Sequence, residues 1–271
     1  MDGSYFTIDD ARELRKPRNL DSHKGNYGHA LLQVGSIGMM GAAILSTKAC
    51  IRSGVGLTTV LSDSRGNDIM QISVPEAMFL RNEYDYSKYD AIACGCGIGT
   101  SSKSYESLLH LLKGSTRNLV LDADAINLIA KFNLQSIIPE NTILTPHDIE
   151  FDRIVSESKN RDERIGKAVT FARNYKVIIV LKGHKTAVIS PDGTISFNTT
   201  GNPGMATGGS GDVLTGLIVG LLAQGYKPYD AAKLGVFLHG LAGDFAAEEL
   251  SQEAMTSGDI VNYLSKAFKA L

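Results

Sequence analysis

The residues best suited to chemistry gather in one loop. Gly201-Asn202-Pro203-Gly204-Met205-Ala206-Thr207-Gly208-Gly209-Ser210-Gly211-Asp212 places five glycines in twelve residues. No packed strand or helix interior tolerates that density, because each glycine there costs conformational entropy. Directly after Asp212 the sequence becomes apolar for a helix's length, reading VLTGLIVG over residues 213–220. A glycine loop that feeds a helix start offers an anion site, since the first amides point outward and the dipole favours negative charge. Gly208, Gly209, Ser210 and Gly211 are therefore the candidate phosphate loop. A carboxylate at its edge would repel a phosphate that was merely bound. Asp212 makes sense as a base that takes a proton from a hydroxyl while the neighbouring amides hold a phosphoryl group. The alternative is a first-turn or capping aspartate. The intact GGSGD with an apolar helix behind it favours the base.

Other candidates fall where apolar runs end: Gly35-Ser36, residues 95–99, Asp122, His147 and Lys182-Gly183. In open parallel sheets, ligands bind beyond the carboxyl ends of the strands. Gly95-Cys96-Gly97-Ile98-Gly99 approaches a dinucleotide fingerprint, but Thr100 takes the place of its third glycine. Residues 38–48 lack the Gly-Lys-Ser/Thr ending of a Walker A loop. His147, after Pro146, is either a helix-capping residue or a ligand contact. Lys182-Gly183-His184-Lys185-Thr186 is either a solvated approach to a hairpin or a phosphate contact made by backbone amides, Thr186 and a lysine. Asp122 and Asp124 read as a helix start. Cys94 and Cys96 have no partner at metal-ligand spacing and read as small packing residues at a strand end.

These positions require a frame of alternating strands and helices. Residues 30–34, 57–61, 90–94, 119–121, 143–144 and 177–181 read as buried strands. Helical spacing covers 41–53, 105–112, 124–131, 163–174, 213–222, 229–250 and 259–271, with Ala42, Leu45 and Ala49 on one face of the first. Residues 186–190 and 194–198, joined by Pro191-Asp192-Gly193, predict a β-hairpin. The order predicts an α/β fold with a mostly parallel central sheet, helices on both faces and the hairpin added to it. No linker, repeat or low-complexity tract divides the chain, so residues 1–271 are expected to form one domain.

Composition narrows the class. Twenty-seven Lys and Arg against 29 Asp and Glu give a net charge of −2 and no reason to expect nucleic acid or a membrane surface. No apolar run reaches the roughly 18–20 residues of a membrane span, and residues 1–10 carry no signal-like apolar stretch. Three cysteines are too few for a disulfide framework. A cytoplasmic protein is expected.

Five segments together resemble one family: SHKGNYGHALLQVGS (22–36), VLDADAIN (120–127), ILTPH (143–147), VIIVLKG (177–183) and GNPGMATGGSGDVLTG (201–216). In this order they are similar to the ADP- or ATP-dependent NAD(P)H-hydrate dehydratases of the ribokinase-like superfamily. The resemblance implies a ribokinase-like fold and the dehydration of hydrated NADH or NADPH (S epimer) to NAD(P)H. ADP, or ATP, would be the co-substrate and Mg²⁺ would bridge its phosphates; with ADP the products are AMP and phosphate. No protein ligand set for the metal is legible.

By the same resemblance, Ala42, Gly97 and His147 match positions that contact the hydrated cofactor. Lys182, Gly183, His184, Lys185, Thr186 and Gly211 match positions at the adenine nucleotide, and Asp212 matches the position at the reacting hydroxyl. Family members commonly read TPHPGE where Thr145-Pro146-His147-Asp148-Ile149-Glu150 stands here, and many read GPG at Gly95-Cys96-Gly97. Some carry an N-terminal epimerase domain; the first motif lies close to the start of this chain, so no interconversion of hydrate epimers is expected.

The resemblance also suggests a homotetramer, while the small residues Gly216, Gly220, Ala231, Ala232, Gly235, Gly240, Ala242 and Gly243 fit either burial in one subunit or an interface. A ribokinase-like kinase of a small vitamin-type alcohol would share the GGSGD machinery and stop at the phosphorylated product. A nucleotide-binding regulatory protein would have no use for Asp212.

Overall fold

The computed structural model describes residues 3–83, 85–114 and 118–271. Ten strands form one sheet: β1 (Ser4–Phe6), β2 (His29–Gln33), β3 (Leu57–Leu61), β4 (Met78–Leu80), β5 (Ala91–Cys94), β6 (Asn118–Leu121), β7 (Ile143–Leu144), β8 (Ile178–Leu181), β9 (Ala187–Ile189) and β10 (Ile195–Asn198). Their spatial order is β1-β10-β9-β8-β7-β6-β5-β2-β3-β4. Every pairing is parallel except the two made by β9. The expected hairpin is β9–β10, with the Gly193 amide donating to the Ser190 carbonyl across the turn at 2.9 Å.

Helices cover both faces, and strand periodicity decides which residue meets which layer. On one face Ala30, Leu32, Ala91, Ala93 and Val120 pack beneath α2 (Met40–Arg52), α8 (Ser210–Ala223), α9 (Pro228–Leu250) and α10 (Ser257–Ala270). On the other, Leu31, Ile92, Leu119 and Leu121 meet α4 (Ser102–Gly114), α5 (Ala123–Phe132), α6 (Asp148–Ile154) and α7 (Arg161–Tyr175). This α/β arrangement is the expected one.

Two strands and three short helices escape the sequence pattern, the seven-residue α6 (Asp148–Ile154) among them. The strands β1 and β4 have three residues each and lie at the two sheet edges, too short to show a period. The short helices α1 (Ile8–Leu14) and α3 (Gly66–Ser73) bury only one or two residues each. The buried face of α2 also differs from the one predicted. It is Ala43, Ser46, Thr47 and Cys50 that face inward with Ala49, while Ala42 and Leu45 are only half buried. The cause is α8: a Cβ on Gly216 would lie 1.9 Å from the Ser46 carbonyl oxygen, so the two backbones touch and small residues must line α2 there. Helix α8 is buried from Val213 to Ala223, which accounts for its apolar character all round. The small residues of α8 and α9 named above are buried within this one chain. No helix among the described residues is long and apolar enough to cross a membrane.

Candidate active site

Strands β2, β5, β6, β7 and β8 are parallel, so their carboxyl ends share one rim, and α8 starts there. Gly209 is the residue before α8, and its φ of +92° favours glycine; a Cβ on it would also sit 2.3 Å from Leu45 Cδ1 and displace that side chain. The loop is held from behind. Asp244 of α9 accepts from the Gly201 amide (2.8 Å) and the Asn202 side-chain amide (3.0 Å). Ser257 of α10 donates to the Gly208 carbonyl at 2.8 Å. The ring of His239, buried in α9, lies 3.3 Å from Ser210 Oγ. Burial pushes that imidazole down to about 4, so it is neutral near pH 7. Among the described residues, the Gly211 and Asp212 amides find no backbone acceptor and open onto the rim.

Asp212 is the third residue of α8. Burial pushes its carboxyl up to about 6; the Cys96 thiol and the Lys182 ammonium pull it down, while Asp122 and Asp124 add to the rise. A base tuned toward neutrality is what proton abstraction requires. Below it, Asp122 does not serve the helix start expected of it. Although it precedes α5, its side chain makes no cap. One oxygen takes the Lys182 ammonium at 2.9 Å and the other accepts from Thr215 Oγ at 2.8 Å, with Asp122 only 1 % exposed. The next residue, Ala123, holds φ +46°, a strained value for a residue with a side chain. Asp124 is in the first turn of α5, as expected, and accepts from the Gly99 amide at 2.8 Å.

His147 begins α6 in a capping box with Glu150. The ring accepts from the Glu150 amide (3.4 Å) and the Glu150 carboxylate accepts from the His147 amide (2.9 Å). The capping reading of His147 therefore holds, and it does not remove the residue from the rim. Glu150 carries it toward the centre, since Oε2 lies 3.9 Å from Lys182 Nζ. Burial alone would lower the proton affinity of Lys182, but Asp122 and Glu150 outweigh it and hold the ammonium above its ordinary value. Gly211 is equally near: a Cβ there would lie 3.3 Å from Lys182 Nζ. Ala42 and Gly97 meet each other, since a Cβ on Gly97 would be 3.0 Å from that of Ala42, and Gly97 follows Cys96, whose thiol lies 4.0 Å from Asp122.

The structure thus brings Asp212, Gly211, Lys182 and, through Glu150, His147 together, with Gly97 and Ala42 beside them. The rest of the Lys182–Thr186 turn lies further out. His184 and Lys185 are exposed, the Lys185 ammonium stands 5.9 Å from the Tyr5 ring, and Thr186 Oγ closes the turn on the Gly183 carbonyl at 3.1 Å. Sequence reasoning missed the parts played by Asp122, Thr215 and His239. Thr215 and His239 did leave a signal, as single polar residues inside apolar helical runs. Cys94 and Cys96 are fully buried free thiols, as expected of packing residues. Cys96 adds a contact at 4.0 Å to Asp122.

The sequence model of the NAD(P)H-hydrate dehydratase family matches residues 30–266. The chain belongs to that family. It is 36% identical over 276 residues to the bifunctional NAD(P)H-hydrate repair enzyme of Thermofilum pendens, an alignment covering 94% of this chain and 52% of that protein. The chain spans about half the length of the first curated relatives it matches. It is 34% identical to the ADP-dependent (S)-NAD(P)H-hydrate dehydratase of Enterococcus faecalis, with 90% and 86% of the two chains covered. The crystal structure of the Bacillus subtilis ADP/ATP-dependent NAD(P)H-hydrate dehydratase, grown with ATP and Mg²⁺, superposes with a TM-score of 0.90 at 30% identity and covers 99% of both chains. The fold is the ribokinase-like one that the resemblance implies. Within this dehydratase family, Asp148 and Ile149 are departures from the common Pro-Gly, and both lie in the first turn of α6 without disturbing the His147–Glu150 box.

Proposed function

We propose that the chain dehydrates hydrated NADH or NADPH (S epimer) back to the reduced cofactor, consuming ADP and releasing AMP and phosphate; with ATP the products would be ADP and phosphate. One observation supports this most: Asp212 shares the start of α8 with amides that have no backbone acceptor among the described residues, and the Lys182 ammonium acts on its carboxyl. Hydroxide is a poor leaving group and phosphate a good one. Asp212 takes the proton of the ring hydroxyl as its oxygen attacks the terminal phosphorus of the nucleotide, and the bond to the departing nucleotide breaks. Amides of the Gly208-Gly209-Ser210-Gly211 loop hold the developing charge, each such donor being worth about 3 kcal/mol. The ring nitrogen lone pair then expels phosphate, and the neighbouring ring carbon gives up a proton to restore the double bond.

In this reading Lys182, Gly183 and Gly211 lie along the phosphates, with His184, Lys185 and Thr186 at the outer lip. Ala42, Gly97 and His147 border the hydrated nicotinamide. Among the described residues no cluster of three ligating side chains forms a metal cage. Mg²⁺ commonly keeps waters and takes one or two carboxylates plus phosphates. Both oxygens of Asp122 are already taken by Lys182 and Thr215, so it does not fit that role; the ion would act by neutralising phosphate charge. Incubating the protein with hydrated NADH and ADP is expected to restore the absorbance of the reduced nicotinamide. Nucleotide consumed without that absorbance would assign a kinase, and neither change would assign a binder.

The assembly we propose is a homotetramer, on the family resemblance alone. Light scattering should then report about four times the 29.1 kDa chain mass. A single species at 29.1 kDa at micromolar concentration would exclude it.

A further inference from the structure

Asp148, which stands where the dehydratases commonly carry proline, connects the two halves of the rim. Its Oδ1 accepts from Arg161 Nη1 at 2.8 Å and its Oδ2 from Arg164 Nη1 at 3.1 Å. Arg164 is otherwise committed to Asp152, through Nε at 2.9 Å and Nη2 at 2.7 Å. Arg161 reaches the other way. Its Nη1 also donates to the Lys182 carbonyl (3.0 Å) and its Nη2 to the Leu181 carbonyl (3.1 Å). One guanidinium therefore ties the first residue of α6, next to His147, to the main chain that leaves β8 and presents Lys182. Gly183 records the closeness of this approach. It holds φ +145°, and a Cβ on it would lie 2.7 Å from Arg161 Nη1.

We propose that Arg161, oriented by Asp148, is a positioning residue that fixes the Lys182–Gly183 turn for the nucleotide phosphates. The inference rests on the nucleotide reading of that turn. The ion pair itself is partly exposed, at 30% and 42% of the two side chains, and such pairs contribute little stability. The effect comes from the planar fork, which serves acceptors on two elements at once; lysine, a point charge on a flexible stem, has no such geometry. The gain is pre-organisation: a turn already in its binding conformation spends less of the nucleotide's binding energy on ordering.

The test is calorimetric titration of the full chain with ADP, alongside steady-state kinetics and thermal melting. Arg161→Ala is expected to weaken ADP binding by about tenfold with kcat within about twofold, because the turn is loosened and the base is untouched. Arg161→Lys should resemble Arg161→Ala. Asp148→Ala should weaken ADP by about threefold and Asp148→Asn, which keeps an acceptor, by less. The double variant Asp148→Ala/Arg161→Ala should match Arg161→Ala alone, since Asp148 acts through Arg161. Wild-type ADP affinity in Arg161→Ala would overturn the proposal, whatever the melting temperature. So would full rescue by lysine, which would mean simple charge attraction, or additive losses in the double variant. A wild-type chain that binds no ADP would instead refute the nucleotide reading of the turn, and this inference with it.

Discussion

Replacing Asp212 with asparagine is expected to lower kcat by about 10²- to 10⁴-fold, the usual worth of a positioned general base, while ADP affinity stays within a few-fold. Asparagine keeps the shape of the side chain in the first turn of α8, so the loop and its anchors at Asp244, Ser257 and His239 remain. What disappears is the proton acceptor. Because burial raises this carboxyl to about 6, its charge opposes folding above that pH, so the neutral side chain is expected to leave stability unchanged or raise it. It also removes a repulsion toward phosphate, so nucleotide binding has no reason to fail. The pH profile gives a second reading. The base must be ionised to act, and burial holds this carboxyl at about 6. In the wild type, kcat/KM is therefore expected to be level above that pH and to fall about tenfold per unit below it. The residual rate of Asp212→Asn should show no limb there. Near-normal turnover in the variant, measured by nicotinamide absorbance, would remove Asp212 from the role of base.

The sequence revealed the parts of this site that depend on local geometry and concealed those that depend on distant contacts. Gly209 and Asp212 are legible because a left-handed residue before an apolar helix has few candidate types. The strands that carry the rim are legible because parallel, fully covered strands read as short apolar runs bounded by glycine. Asp122 was not legible as more than a helix start, since its partners Lys182 and Thr215 lie 60 and 93 residues away. Nothing in its neighbours distinguishes a capping aspartate from one turned down into an ion pair. The inward face of α2 failed for the same reason. Its residues were judged by hydrophobicity, whereas the close approach of α8 at Gly216 selects for size and admits Ser46 and Thr47. Lys182 stood out in sequence as one of two lysines in a turn. Only the fold separates it, at the centre of the rim, from Lys185 at its exposed lip.

That separation predicts a large effect for Lys182→Met and a small one for Lys185→Met. The Lys182 ammonium is 2.9 Å from Asp122, which is 1 % exposed, and 3.9 Å from Glu150, which is 6 % exposed. Methionine fills the stem's volume but leaves both carboxylates buried near Asp212 without a cation. Removing one partner of a buried pair costs about 3–5 kcal/mol. For a chain of this length that is a fall in Tm on the order of 10 °C, and ADP binding should be lost with it. One measurement separates charge imbalance from lost packing. Adding Asp122→Asn to Lys182→Met should recover much of the melting temperature, because the amide still accepts from Thr215 and carries no charge; it should not recover ADP binding. A Lys182→Met protein that melts with the wild type at pH 8 would show that the ammonium does not balance these carboxylates. Retained ADP affinity would remove Lys182 from the nucleotide site.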